Sequence, residues 1–457
     1  MKWKDIRAAS SEWSAAYECL QRESQYLKDH DLPDRSAFES LSDPLDGSCD
    51  SWDPSGSHDG NLREVLEWYD LDYEFTQRAT DISTKHAFPL STYDDYQDKS
   101  CFVSHPDNGA VVARAVVHNE GIIEDARMLT NRKVCRVDWS PLDAEGRARV
   151  YVCNADDTNC VVYRPFKVVS TVSVGYLDNT GEALFSPLST PIEEKLASMR
   201  SVFASTNVLG TMPIYKEIKF QFDSKWWGDY QFMPVETDNN GWCNWWQNYH
   251  TRWSNEFFHG SNTLVCVSTT EVYEEQLYPL DDDKVRLLLQ ESLGQTQAYA
   301  DAVSPYVDDT VDGRGCVAGS PPYGWEGAAS VPDSGCRYYV FNEENENWQG
   351  SYPNWKVGGT KEDFDDFTRG LSVLDSNGQE RNVTHFAGDA TCYRLWGTQH
   401  SAYYSGIRKA QYCIQEFHDE HLESALPGTY EATPQFCDIP PGGGLGNAFL
   451  KPSRMDL

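Results

Sequence analysis

The sequence predicts a mixed α/β fold in which helical and strand segments alternate along the chain and two domains interleave. Three observations carry that prediction. Lys4 to about Lys28 spaces its aromatic and small residues at near-helical intervals without Pro or Gly. Phe166 to Ser173 is a β-branched run suited to a buried strand. His385-Phe386-Ala387 leads through Gly388 to helical periodicity that begins near Gln399 and passes Ala410.

The remaining elements follow in chain order. Asp43 to Gly60, crowded with Pro, Gly, Ser and Asp, reads as a loop, and Asn61 to Arg78 as a helix carrying Trp68, Tyr69, Tyr73 and Phe75. Residues 101–117 suggest a strand, a turn and the start of an apolar helix. Asn131 to Trp139 and Arg147 to Cys153 read as strands around a turn at Asp143 to Gly146. Pro213 to Phe222 reads as a longer strand, since Ile214, Ile218 and Phe220 recur at even spacing among polar residues; Leu264 to Thr269 is another. Leu277 to Ala302 reads as helical, at least in its second half, and Asp308 to Gly335 as an insertion-like loop. The tail from about Leu426, with its Gly442 to Gly446 cluster, has no periodicity.

A formal net charge of −33, from 71 acidic against 38 basic residues, repels a phosphate backbone and an anionic membrane surface, so nucleic acid is excluded as a partner. The same field attracts cations, although a solvated acidic surface is the plainer reading. No run approaches the ~18 apolar residues of a membrane span, and Met1 to Tyr26 contains no apolar leader core. Thirteen cysteines point toward oxidising surroundings, extracellular or in the secretory pathway. Cys153 with Cys160 and Cys316 with Cys336 are candidate disulfides, and the odd count leaves at least one thiol over. No metal-ligand set stands out. Asn382-Val383-Thr384 matches a glycosylation sequon directly before the 385–387 strand.

The chemistry concentrates between Gly388 and Ala402. A strand that passes through glycine to a helix amino terminus turns backbone N–H groups and a positive dipole end toward the gap, where anionic cofactor atoms bind. Small residues at Gly388, Gly397, Ser401 and Ala402 permit close approach. From the pattern alone, ordinary strand–loop–helix packing is the alternative.

This stretch closely resembles the carboxyl-terminal flavin motif of the flavin-containing amine oxidases, F-x-G-E-x-T followed by G-x-x-H-G-A-x-x-S-G. Here it stands as Phe386, Gly388, Asp389 and Thr391, then Gly397, His400, Ala402, Ser405 and Gly406. Trp68 to Phe75 is similar to the W-Y-x-x-D-Y-E-F segment of polyamine oxidases, and Asp98 to Ser104, more loosely, to the F-V strand after it. Val168 to Leu177, with Phe185 to Leu188, resembles the V-S-x-x-x-G-V-L and F-x-P-x-L block, and Trp348 to Gly358 the G-S-Y-x-N-W-P-x-G element. The blocks occur in family order from about Asn61 to Ala410.

The resemblance implies an FAD-binding amine oxidase fold, with an incomplete flavin domain interleaved with a substrate domain of mixed sheet and helices. Residues 1–100 become the helical part of the substrate domain, 101–175 flavin-domain strands, 176–358 the substrate domain with a Cys316–Cys336 insertion, 359–425 the carboxyl-terminal flavin segment and 426–457 an irregular tail. The implied reaction is hydride transfer from the carbon beside an amine nitrogen to flavin N5, with O2 reduced to hydrogen peroxide. A polyamine is the favoured substrate; a truncated or non-catalytic amine-oxidase-like binding protein is the alternative, and an acidic, Trp-rich extracellular binding module, suggested by Gly241 to Trp246, a third reading.

Carried over residue by residue, the resemblance assigns FAD to Val134, Trp355, Gly388, Asp389, Gly397, Thr398 and Gln399, and the substrate amine to Glu74, Tyr352 and Thr398. Tyr352 is one aromatic wall, where an electron-rich ring steadies a cation; Thr398 replaces the opposite ring. Asp389 is shorter than the family's Glu. The family's catalytic lysine, in Y-x-K-I-F-x-x-F, falls on Glu217 in Tyr215 to Phe222. Lys216 points to the other face of the strand, so Lys219, one step along on the Glu217 face, or Lys216 brought round by a bulge, are the available substitutes. No strand-borne G-x-G-x-x-G fingerprint with a following acid occurs in the chain.

Overall fold

A computed structural model describes residues 3–52, 60–88, 127–139, 142–143, 145–186, 189–203, 212–229, 232–235, 242–249, 261–269, 277–295, 316–318, 335–340, 349–393 and 396–421. The readings at 98–117 and 187–188, most of the 308–334 loop and the tail from 426 lie outside these residues.

Helix α1 (Trp3–Asp29) buries Trp13, Ala16, Leu20 and Leu27, spaced by three, four and seven residues along one stripe. Helix α2 (Ala37–Ser42) opens with a capping box, in which Glu39 N–H donates to Ser36 Oγ at 3.1 Å and Ser36 N–H to Glu39 Oε2 at 3.0 Å. The helix predicted over 61–78 is shorter and interrupted. It forms α3 (Gly60–Asp70) and α4 (Asp72–Phe75), and stops at Thr76, whose φ of 55° is left-handed. Helix α5 (Thr84–Ala87) starts at Ser83, whose hydroxyl accepts from His86 N–H.

Strands β1 (Arg132–Asp138), β2 (Arg149–Asn154) and β3 (Val161–Tyr163) form an antiparallel three-stranded sheet in that order. The β-branched run at 166–173 becomes only a short strand, β4 (Val168–Ser170), because Ser173 takes up a helix cap: its Oγ accepts from Tyr176 N–H at 3.1 Å and starts α6 (Val174–Leu184). Gly175 and Gly181 concealed this helix, since glycine lowers helix propensity. At Gly181 a Cβ would meet Leu196 Cδ2 at 3.0 Å, so the glycine lets α6 pack closely on α7 (Thr190–Phe203).

A six-stranded sheet follows. Its strands are β5 (Tyr215–Phe222), β6 (Phe232–Pro234), β7 (Trp242–Asn248), β8 (Thr263–Thr269), β9 (Cys316–Ala318) and β10 (Cys336–Val340), in the order β6-β7-β8-β5-β10-β9. Helix α8 (Asp282–Glu291), capped by Asp281, lies in the first half of the 277–302 segment, and residues 296–302 of that segment lie outside the described residues. Its Val285, Leu288 and Leu289 join Ile214, Ile218, Phe220 and Trp246 in one core. A second core draws on α1, α6, α7 and helix α9 (Lys361–Thr368). Strands β11 (Leu371–Leu374) and β12 (Glu380–Phe386) complete a sheet ordered β11-β12-β4, with β12 and β4 parallel, and helix α10 (Gln399–His421) closes the described chain.

Both expected disulfides form; among the described residues Cys19–Cys49 and Cys243–Cys266 are also joined, and Cys392 is disulfide-bonded as well. The sequon is locked into β12: the Asn382 amide donates to Glu416 Oε1 at 2.8 Å and Thr384 is fully buried, which denies a glycosyltransferase the tripeptide in the folded chain. Among the described residues no helix is long and apolar enough to cross a membrane.

Candidate active site

Parallel strands β4 and β12 deliver their carboxyl ends side by side, the position where ligands enter open α/β sheets. Ala387 N–H bonds to Ser170 O at 2.9 Å and continues the ladder to the last residue before the loops. Beyond it the chains part around a cavity of about 380 Å³, lined on one side by Thr171 to Val174 and on the other by Phe386 to Thr391. The capped amino terminus of α6 sits at its rim.

Gly388 has φ 137°, and a Cβ there would meet no atom within 4 Å. Glycine is therefore required by the backbone shape, and the space beside it is open. Gly388 N–H donates to Ser405 Oγ at 2.9 Å, which ties the loop to α10. The Asp389 carboxyl is enclosed, and burial raises its pKa above the ordinary carboxylate range against the opposing pull of bonds from the Ala390, Asp389 and Gly397 amides. Asp389 thus pins the 388–391 loop to the turn at Gly397. Thr398 spends its hydroxyl on the helix it starts: Ser401 N–H donates to Thr398 Oγ1 at 3.3 Å, and Ala402 N–H to Thr398 O at 3.2 Å. Gln399 is the first residue of α10.

Gly397 joins this cavity to a second, aromatic region. Its φ is 76°, and a Cβ on it would lie 3.4 Å from the Tyr352 ring. Tyr352 in turn donates its hydroxyl to Glu74 O at 2.7 Å and stands 6.2 Å, centroid to centroid, from Tyr215. The rings continue from Tyr215 to Tyr73 at 5.2 Å, Tyr69 at 5.3 Å and Trp245 at 4.4 Å. Gln247 Nε2 donates to Tyr73 OH at 2.9 Å.

Alternation along β5 decides which charges face these rings. Ile218 and Phe220 point into the core against α8, and Lys216, 1% exposed, goes with them. Tyr215, Glu217 and Lys219 occupy the opposite face. The β5–β8 pairing runs without a shift from Tyr215↔Thr269 to Gln221↔Thr263, so no bulge turns Lys216 round and that substitute for the catalytic lysine is ruled out. Lys219 Nζ lies 2.9 Å from Glu217 Oε2, making an ion pair where the family pattern has a lone lysine. Glu217 also acts on Tyr73, Tyr215 and Tyr249, whose hydroxyls are all pushed up in pKa, burial being the largest cause; Tyr73 reaches about 12.

Two further carboxylates come from α3 and α4. Asp70 and Glu74, four residues apart, are both raised, first by burial; Asp70 adds to the shift of Glu74, while the Trp13 indole that donates to Asp70 works the other way. Glu74 keeps an exposed surface although protein closely surrounds its carboxyl, the combination expected of a group lining a recess. Among the described residues no lysine or arginine enters the electrostatics of either carboxyl. Two acids facing an aromatic wall without a protein counter-ion suit a cationic ligand.

The structure therefore brings Glu74, Tyr352, Gly388, Asp389, Gly397 and Thr398 into one contiguous region, with Glu217 and Lys219 reached through Tyr215. Of the residues assigned to FAD, Gly388 and Asp389 line the cavity; Gly397, Thr398 and Gln399 lie beside it, and Val134 and Trp355 stand apart. Val134 is an exposed residue of β1 paired with Val152. Trp355 is fully buried among core rings, with His86 stacked at 4.6 Å and Phe364 at 5.3 Å. Tyr69, Tyr215, Trp245 and Gln247 join the aromatic wall without a sequence motif that marks them. The four-residue spacing of Tyr69 with Tyr73 and Asp70 with Glu74 was the available signal.

Residues 24–414 match the family model described as flavin containing amine oxidoreductase. Polyamine oxidase 1 of Zea mays is 22% identical over 377 residues, which cover 80% of this chain and 62% of that protein. Polyamine oxidase 6 of Oryza sativa subsp. japonica is 21% identical over 367 residues, covering 77% of this chain and 59% of the relative. The chain thus spans about three-fifths of the length of these curated relatives. Among solved structures, a putrescine oxidase bound to putrescine aligns with a TM-score of 0.53 at 12% identity, covering 89% of this chain and 76% of that one. A mutant of putrescine oxidase aligns with a TM-score of 0.51 at the same identity.

Proposed function

The chain belongs to the flavin-containing amine oxidoreductase family, and from that premise we propose that it serves the FAD-dependent oxidation of an amine, with a polyamine-type cation as substrate. The observation that carries the reading is the contact chain from the β4/β12 cavity through Gly397 and Tyr352 to Glu74. It joins a place for a cofactor to a place for a cation.

The residues around the cavity fit part of such a cofactor. Gly388 presents open space where a side chain would block approach, and the cavity volume suits one portion of a dinucleotide. Gly388, Asp389 and the turn at Gly397 to Gln399 would hold it, with the α6 and α10 amino termini favouring its anionic atoms. When bound, flavin supplies the hydride acceptor for the carbon beside the amine nitrogen, and dioxygen, as terminal oxidant, leaves as hydrogen peroxide.

The chain's own residues orient the amine. Glu74 pairs with a protonated nitrogen, Asp70 adds to the local field, and Tyr352 offers an aromatic face. Glu217 and Lys219 hold each other on the Tyr215 face of β5; as a pair they are neutral overall and place polar atoms, with no uncompensated charge, beside the aromatic wall. Equilibrium titration with FAD, followed by flavin fluorescence, tests the cofactor half: the reading expects saturable quenching that Gly388→Ala weakens. Absence of binding by the parent chain refutes that half. Polyamine binding without flavin would instead favour the non-catalytic alternative.

A further inference from the structure

Outside the candidate active site, the β1–β2–β3 sheet gathers three sulfur atoms. Cys153 and Cys160 are joined across the β2–β3 turn, and Cys135, a free thiol, lies with its Sγ within 4.8 Å of both. The β1–β2 register shifts between Val134 and Arg136, which places Cys135 at an irregularity beside Cys153 instead of in the regular ladder. The Cys153 backbone N–H donates to the Cys135 sulfur. On the other side Cys135 Sγ donates to Asp157 Oδ1 at 3.2 Å, and Lys133 Nζ holds Asp157 Oδ2 at 3.2 Å. With Lys133 O at 3.7 Å as the third contact, the thiol is positioned next to a disulfide it does not belong to, and burial together with the Asp157 bond raises its pKa. Burial differs sharply among the sulfurs: Cys153 is buried, Cys135 is half-buried and Cys160 is exposed.

We propose that Cys135, Cys153 and Cys160 form a thiol–disulfide exchange centre in which the disulfide migrates from Cys153–Cys160 to Cys135–Cys153. The Cys135 thiol gives up its proton to solvent, its thiolate attacks Cys153 Sγ, the Cys135–Cys153 bond forms and the Cys153–Cys160 bond breaks. Cys160 leaves as a thiolate and takes up the proton, so no external oxidant or reductant is consumed. Attack at Cys153 is the favoured direction because it releases the exposed sulfur, whose charge water stabilises, whereas attack at Cys160 would strand a thiolate at the buried position. The freed Cys160 is then the reactive group toward small organic disulfides. Its attack on one forms a mixed disulfide at Cys160 and releases the other half as a thiolate.

The resting population tests this directly. The whole, unreduced protein is labelled with N-ethylmaleimide, digested with pepsin in acid to prevent further exchange, and mapped by mass spectrometry. Exchange predicts label on both Cys135 and Cys160, and a Cys135–Cys153 cross-linked peptide beside the Cys153–Cys160 one. Label confined to Cys135, with Cys153–Cys160 the sole linkage in the cluster, overturns the proposal. Cys160→Ser gives an independent check: incubated with oxidised glutathione as the two-electron oxidant, a competent centre closes Cys135–Cys153, releases two equivalents of glutathione and loses labelling at both positions, whereas label or glutathione retained on both shows that Cys135 cannot reach its neighbour.

Discussion

Replacing Glu74 with Gln isolates the proposed cation contact from the scaffold around it. The hydrogen bond that Tyr352 makes at this residue goes to the backbone carbonyl, so the substitution leaves the 2.7 Å bond in place. A protonated amine ~4 Å from a carboxylate gains about 4 kcal/mol at an effective dielectric of ~20. Desolvation and the open side of Glu74 reduce this to roughly 1.5–3 kcal/mol, the range for a hydrogen bond to a charged group. Glu74→Gln should therefore weaken spermidine binding by about ten- to a hundredfold, at ~1.4 kcal/mol per factor of ten. A simple monoamine that needs only the Tyr352 face should lose much less. Isothermal titration of parent and variant with both amines at fixed ionic strength reads the difference, and circular dichroism confirms that the fold is retained. An unchanged spermidine affinity, or an equal loss for both amines, would refute the pairing of Glu74 with a distal nitrogen.

Other consequences follow from particular contacts. Gly388→Ala places a side chain where φ is 137°, at a conformational cost of about 1–3 kcal/mol; chemical denaturation should register that loss and fluorescence titration a weaker flavin complex. Glu416 accepts from His385 Nε2 at 2.8 Å and lies 3.4 Å from Lys167, which is largely buried, so Glu416→Ala should lower unfolding stability by roughly 2–3 kcal/mol while Glu416→Gln loses less. Glu67, raised to about 7 by burial against the Trp52 indole hydrogen bond, ionises more readily unfolded than folded. Its contribution is fully present below the ordinary carboxylate range and is lost as pH rises through about 7. Glu67→Gln should thus stabilise the protein above neutrality by on the order of 2–3 kcal/mol and leave it nearly unchanged at pH 4, in denaturant melts across that range.

Regular periodicity made much of this architecture legible. The α1 stripe, β5 and β8 are elements whose residues alternate or recur against a buried face, and the bounds read from the sequence lie close to those observed, whereas the short 385–387 strand into Gly388 proves to be the end of the longer β12. Elements set by tertiary contact were not legible. Helices α6 and α7 meet where Gly181 fits against Leu196, and α3 gives way to α4 at Leu71, whose backbone stands at φ −115° and ψ −78°. The candidate site divides in the same way. Its loop chemistry at Gly388 and Asp389 was visible in the order of residue types, as was the opposition of Lys216 and Glu217 across β5. The position of Trp355 was not, since a tryptophan in a core stack and one beside a ligand look alike in sequence. Nor was the path from Asp389 through Gly397 to Tyr352, which exists only once three distant segments meet.

The central claim is that a cofactor held at the β4/β12 cavity and a cation held near Glu74 belong to one reaction. Loading the chain with FAD, removing the excess and mixing anaerobically with spermidine tests it most directly. The account predicts that the visible band of the oxidised flavin bleaches with spermidine, that Glu74→Gln raises the spermidine concentration needed for half-maximal bleaching, and that admission of oxygen restores the band. A chain that retains FAD and binds spermidine while its flavin stays oxidised would contradict it.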